Sequence, residues 1–335
     1  MADIDIHLDP AAICFPYQDD IFPGESGQGY ALRMSIHNGL PSINYIKPLL
    51  GKTHSTALEA RDASFLAHWF GGSVQHIAFA LERIPHGRRS QGTVYAGHEL
   101  GRSYFLNRSF PRVCPSCIQE HGYCRMAWEL SLCVACARHR CLLVDTCPVC
   151  SSALSWGRPA IDGCSCGYPW KEKLQMQPPT SDELWLAQAL DAKLPDEGDQ
   201  WADDSPMPSA PDWLRLIQGL SLDGAMRVLF ALATAEVYDR PPSLALRARR
   251  PMQKAQKTIA AAASFGNKVV HLETTELRPH RPSVLVDLLC DFAAASQATE
   301  GDLSAAQSLL RWLLPNAPRS KSKSRHPSLA QQVLF

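Results

Sequence analysis

A chain of 335 residues, 45% apolar and 20% charged, is long enough for two or three compact units and too apolar to be disordered. Lys+Arg and Asp+Glu balance at 33 each, so attraction to nucleic acid would have to come from one face and not from the total charge. No apolar run approaches the roughly 18–20 residues of a membrane span, and MADIDIHLDP has neither a basic nor an apolar signal region, so a cytoplasmic protein without membrane contact is expected.

The charge comes in blocks. Residues 1–29 hold six acids and no Lys or Arg, 30–140 net +7, 141–210 net −7 and 211–335 net +6. The first block reads as an acidic arm ending in FPGESGQG. That run is glycine-rich, but no strand precedes it and its acidity disfavours phosphate, so it is not read as a nucleotide loop.

Residues 30–110 read as a helical, helix-turn-helix-like domain. Thr56 and Glu59 have capping-box spacing. Phe65, Leu66, Trp69 and Phe70 make one helical face, which Gly71 and Gly72 end. Ser73 caps a second helix with Val74, Ile77, Ala78 and Leu81 inward and Gln75, His76 and Arg83 outward. An ordinary αα-hairpin shares the pattern. Thr93-Val94-Tyr95 and Tyr104-Phe105-Leu106, with Gly97 and Gly101 between them, read as a short hairpin or loop.

Ten of the twelve cysteines fall between 114 and 166, in paired spacings that point to metal and not to disulfides. Cys114-Pro115-Ser116-Cys117 presents two thiolates from one knuckle. Its partner pair is either Cys136 with His139 or Cys133 with Cys136, and spacing leaves both open. Cys147-Pro148-Val149-Cys150 is completed by Cys164-Ser165-Cys166, where Gly163 and Gly167 permit the tight turn. Each site fills with four ligands, as structural zinc does, whereas catalytic zinc keeps an open position. HExxH, the deaminase HxE…PCxxC pattern, a P-loop and a GxSxG elbow are all absent from the sequence, so no enzyme is expected. Cys14, Cys124, Cys141 and Cys290 read as free thiols.

Two tandem zinc-ribbon or zinc-finger modules thus span 111–170. An acidic, Pro-rich linker covers 171–210, densest at 195–211. A helical C-terminal domain spans 211–318. Asp212 caps a helix through Gly219, and Ser221 caps one with Leu222, Ala225, Met226, Leu229 and Ala233 at helical spacing. Val284–Phe292 and Leu309–Leu314 repeat the pattern. Residues 319–335 form a basic tail. The fold class is mostly α with small β.

Residues 112–154 resemble the TniQ/TnsD family of transposition targeting proteins. The resemblance rests on Cys114 and Cys117, then Tyr123, Arg125 and Trp128, then Cys136 and His139, Leu142 and Leu143, and the second pair Cys147 and Cys150. Glu25 and Leu32-Arg33-Met34 before Asn38-Gly39 look like the family's N-terminal signature. The shortness of the chain favours the TniQ kind. The resemblance implies His139 over Cys133, giving Cys114, Cys117, Cys136 and His139 for one zinc and Cys147, Cys150, Cys164 and Cys166 for the other. It implies a target-site selection adaptor linking target DNA, or a CRISPR Cascade-type RNA-guided complex, to a AAA+ transposition ATPase, and it admits a homodimer. Candidate phosphate contacts are Arg83, Arg88 and Arg89, or Arg247, Arg249, Arg250, Lys254 and Lys257, each against a reading as solvated charge. A zinc-ribbon DNA-binding transcription regulator is the alternative.

Overall fold

Ser26 starts the helix around which the N-terminal half is built. In the computed structural model, which describes residues 10–85, 92–108, 110–170, 176–194, 209–236, 252–271 and 282–313, its hydroxyl accepts the Gly29 amide at 3.1 Å and caps α1 (Gly27–His37). Every residue from 27 to 35 is buried, so α1 runs through the core instead of lying on it. A Cβ on Gly27 would come within 2.9 Å of the Ala80 carbonyl, and one on Gly29 within 2.9 Å of Cys124 Cβ. The GESGQG run is therefore a helix start that lets neighbouring chain approach closely.

The stretch read as an acidic arm packs against this core from residue 10 onward, with Ile13 and Phe15 half-buried on it and Ile21 and Glu25 inside it. Arg33 holds Glu25 through Nε–Oε1 at 2.9 Å and Nη2–Oε2 at 2.8 Å. It also holds Asp19 at 2.7 Å and the Asp20 carbonyl at 2.8 Å. Its guanidinium lies 4.1 Å from the centre of the Phe22 ring. Acids that resembled a solvated tail instead surround one buried arginine. Residues 1–9 lie outside the described part.

Two short helices follow, α2 (Ala63–Phe70) and α3 (Val74–Ala80). The reciprocal cap before them is Glu59 with Asp62, not Thr56 with Glu59: the Glu59 amide donates to Asp62 Oδ2 at 2.7 Å. Gly71 and Gly72 take φ of 84° and 85°, the left-handed turn that their lack of a Cβ permits. Leu66, Trp69, Phe70, Ile77 and Leu81 are buried, whereas Phe65 and Val74 stay exposed. Then β1 (Thr93–Tyr95) pairs antiparallel with β2 (His98–Leu100), Thr93 opposite Leu100. Tyr104 and Phe105 sit in a 3-10 turn and not in the hairpin, and Phe105 stacks on Phe230 at 5.5 Å.

A buried acid, Glu129, ties this half together. Ser26 donates its hydroxyl to it, and it lies against Tyr95 and Glu82. Desolvation, the largest cause, raises its pKa from 4.5 to about 8. The unfolded chain ionises this group first, so folding takes up a proton between those values. Its contribution is complete below about pH 4.5 and is lost as pH rises through 8. Glu129→Gln should flatten the fall of stability between about pH 5 and 8, where one proton contributes a slope of up to about 1.4 kcal/mol per pH unit. Denaturant melts of both proteins check this; parallel curves would refute it.

The acidic linker reading fails over α5 (Ser181–Asp191). Thr180 and Glu183 form a capping box, Thr180 N to Glu183 Oε2 at 2.8 Å and Glu183 N to Thr180 Oγ1 at 3.2 Å. Leu184, Leu186, Ala187 and Leu190 are buried, and Asp191 accepts Arg125 at 3.2 Å. The acids of this stretch cap and anchor a helix. Residues 171–175 and 195–208, including most of the Pro-rich part, lie outside the described residues.

The C-terminal helices are α6 (Leu222–Glu236), α7 (Met252–Val270), α8 (Pro282–Ala293) and α9 (Glu300–Leu313). Ser221 caps α6 through the Gly224 amide at 2.9 Å. Asp212–Leu216 is a 3-10 turn instead of the α-helix expected. One cluster of buried side chains runs from Ile21 to Leu310, so both halves share a core. The architecture is mostly α with small two-stranded β-pairs. Among the described residues no helix is long and apolar enough to cross a membrane. The basic tail 319–335 lies outside them.

Candidate metal centres

Proline at the first helical position presets the knuckle of the first centre. Cys114 stands at the extended N-cap of α4 (Pro115–His121), and Cys117 lies one turn in. Gly122, at φ 72°, ends the helix. Facing it, β3 (Ala135–Cys136) and β4 (Cys141–Leu142) form a hairpin whose turn contains His139 and Arg140, the latter at φ 48°. Val113 and Val144 exchange backbone bonds of 3.0 and 2.8 Å, fixing the knuckle against the hairpin.

The side chains of Cys114, Cys117, Cys136 and His139 converge, with their ligand atoms all within 4.8 Å of one another. His139 Nδ1 is 3.5 Å from Cys114 Sγ, 3.2 Å from Cys117 Sγ and 3.7 Å from Cys136 Sγ, and Cys117 is 3.5 Å from Cys136. A tetrahedral ion with metal–sulfur bonds of about 2.3 Å needs edges of about 3.6–3.8 Å, so the donor set fits one. His139 Nε2 lies 2.8 Å from Glu120 Oε1, a carboxylate placed to orient the ring. Cys133 is not in the cluster. Its thiol donates to the Ala135 carbonyl at 3.6 Å, and burial pushes its pKa up to about 12.

In the second centre, the turn after Cys147 closes through Ser151 N to Cys147 O and Cys147 N to Ser152 O, both 2.9 Å. The turn at Cys164 closes through Cys164 N to Tyr168 O and Gly167 N to Cys164 O, also 2.9 Å, with Gly167 at φ 85°. Cys147, Cys150, Cys164 and Cys166 again lie within 4.8 Å of one another, with Cys147–Cys166 at 3.8 Å and Cys150–Cys164 at 3.7 Å. Either centre could offer an ion four protein ligands, the donor number of structural sites.

Two supporting residues escaped the sequence reading. Arg158 is fully buried between Trp156 and Trp170, 5.6 and 5.5 Å from their rings. It donates to the Ser155 carbonyl at 3.0 Å, the Ile161 carbonyl at 3.4 Å and Cys124 Sγ at 3.5 Å, so none of these bonds reaches a carboxylate. Cys141, read as a free thiol, lies 3.7 Å from Cys114 Sγ. Its only signal in the sequence is the five-residue step from Cys136, the length of a tight hairpin.

Of the basic candidates, Arg83, Lys254 and Lys257 are among the described residues. Arg83 is exposed and lines a cleft of about 670 Å³ between the β1–β2 hairpin and α6 and α8, together with Arg102 and Arg227. Arg102 bonds Asp291 at 2.6 Å, and Arg227 bonds Asp223 at 2.6 Å. Lys254 and Lys257 are exposed one turn apart on α7. Arg88, Arg89, Arg247, Arg249 and Arg250 lie outside the described residues.

No curated protein matches the chain. A family model does: that of TniQ, over residues 16–143. The match begins in the segment that surrounds Arg33 and ends just past the β3–β4 hairpin, so it includes every donor of the first centre. Residues 16–143 thus match a TniQ domain, the mark of a transposition-associated family.

Proposed function

We propose that this protein is a non-catalytic adaptor for transposition target selection. It holds one zinc ion in each four-donor centre and connects target DNA, or an RNA-guided complex on that DNA, to a AAA+ transposition ATPase. The observation that carries this reading is the TniQ match over the stretch that folds around the first centre. Thiolate-rich tetrahedral sites suit zinc, which has no geometric preference of its own and binds sulfur strongly. Strand transfer then belongs to a separate transposase, and this chain contributes surfaces and not chemistry.

Two experiments test the reading. The protein should co-elute with the AAA+ ATPase of its transposon or with an RNA-guided targeting complex; binding to neither, and to no DNA, would sink it. If DNA is contacted through Lys254 and Lys257, K254E/K257E should weaken binding and reduce the slope of log K on log salt by about 0.9 for each lost phosphate contact. An unchanged slope would assign those lysines to solvent.

A further inference from the structure

The first centre has more donors than an ion takes. Cys136 and Cys141 are register partners across the β3–β4 hairpin. Directly opposed residues of an antiparallel pair project their side chains to the same face. Cys141 is buried, and its Sγ stands 3.7 Å from Cys114 Sγ. That separation matches the sulfur–sulfur edges of the second centre, 3.7 and 3.8 Å. Of the other cysteines outside the two clusters, Cys133 bonds a backbone carbonyl, Cys124 meets Arg158 and the exposed Cys14 accepts from Gln18.

The fourth ligand of the first set is also the one held most loosely. Cys114, Cys117 and Cys136 are buried on α4 and β3, whereas the His139 side chain is 19% exposed and sits in the hairpin turn. Its outer nitrogen is engaged by the half-exposed Glu120. Withdrawal of the imidazole toward Glu120 would leave three thiolates and one buried thiol at the edge of the same cluster.

We propose that Cys141 is a reserve ligand, so that the first centre can hold its ion either as Cys114, Cys117, Cys136 and His139 or with Cys141 in place of His139. In the exchange the imidazole leaves, the Cys141 thiol gives its proton to water, and its thiolate takes the vacated position. No electrons are transferred, and the centre becomes one charge more negative. Arg138, 3.3 Å from Glu120, supplies a neighbouring positive charge. The inference rests on the zinc reading above but not on the adaptor role.

The test is metal content of the full chain in four forms: parent, H139A, C141S and H139A/C141S. Two zinc ions are expected in the parent and in each single variant, and one in the double variant. An H139A protein that holds one ion, or that precipitates, overturns the proposal, as does a C141S protein that holds one. A parent with fewer than two ions would refute the zinc reading itself. Cobalt replacement gives an independent readout: the thiolate-to-cobalt charge-transfer band of H139A should intensify by one thiolate relative to the parent. An unchanged or weaker band overturns the exchange even where the ion count is preserved.

Discussion

Replacing Cys147 with serine should leave one metal ion per chain and unfold the module around the second centre. That module has little core of its own beyond Leu154, Trp156 and Trp170, so its shape depends on the four thiolates. A structural zinc contributes on the order of 10–16 kcal/mol of apparent folding energy, more than such a core can replace. Arg158 sharpens the effect. A buried guanidinium without a carboxylate bond is costly, and the anionic tetrathiolate is the counter-charge that its position beside the centre would meet. Among the described residues no fifth thiol joins this cluster, so the loss has no substitute. Metal analysis and a thermal melt of Cys147→Ser, with Cys290→Ser as control, decide the matter. Two retained ions and an unchanged melting temperature would show that the second cluster does not hold the module together.

Arg33→Met should destabilise the N-terminal half by about 3–5 kcal/mol, the usual cost of removing one member of a buried ion pair. Glu25 is fully buried, and desolvation already raises its pKa even with both guanidinium bonds in place. Without Arg33 it retains the Phe22 amide at 2.9 Å, and must protonate or carry the fold with it. Arg33→Lys keeps a charge but loses the paired bonds and the Asp20 carbonyl, so it should fall between the two. Pairing Arg33→Met with Glu25→Gln should recover part of the loss, because no buried charge is then stranded. Urea titrations of the four proteins measure this directly; a change below about 1 kcal/mol for Arg33→Met would show that Asp19 and Glu25 are solvated well enough without it.

What could be seen in the sequence was local. Gly71-Gly72-Ser73 marks a helix end and a new start within three residues, and Ser221 announces α6. The CPxC knuckles state their chemistry within four residues. What could not be seen depended on contacts between distant segments. The acids at 19 and 25 resemble a solvated arm until α1 brings Arg33 between them. The acids of α5 resemble a linker because a capping box and an anchoring Asp191 use the same residue types as a soluble tail. In α7 the buried stripe includes Ala255, Ala262 and Gly266 alongside Ile259 and Phe265, too little bulk to stand out as an apolar face. Counting spacings left Cys133 and His139 open, and the resemblance pointed to His139. The structure brings His139 to the cluster and leaves Cys133 on a backbone carbonyl. The same counting missed Cys141, because only strand register places it opposite Cys136.

The shared core also bears on how pieces of this protein could be exchanged. The family match stops at residue 143, yet Val144 is the residue that exchanges backbone bonds with Val113, beside the first knuckle. Leu142 donates to the carbonyl of Gln177, and Phe105 stacks on Phe230 of α6. A cut at the edge of the recognisable domain would therefore pass through a β-bridge and bare a hydrophobic wall. Grafting a different C-terminal region onto this domain requires that region to rebuild the wall, so the two parts are constrained to diverge together and not as interchangeable cassettes.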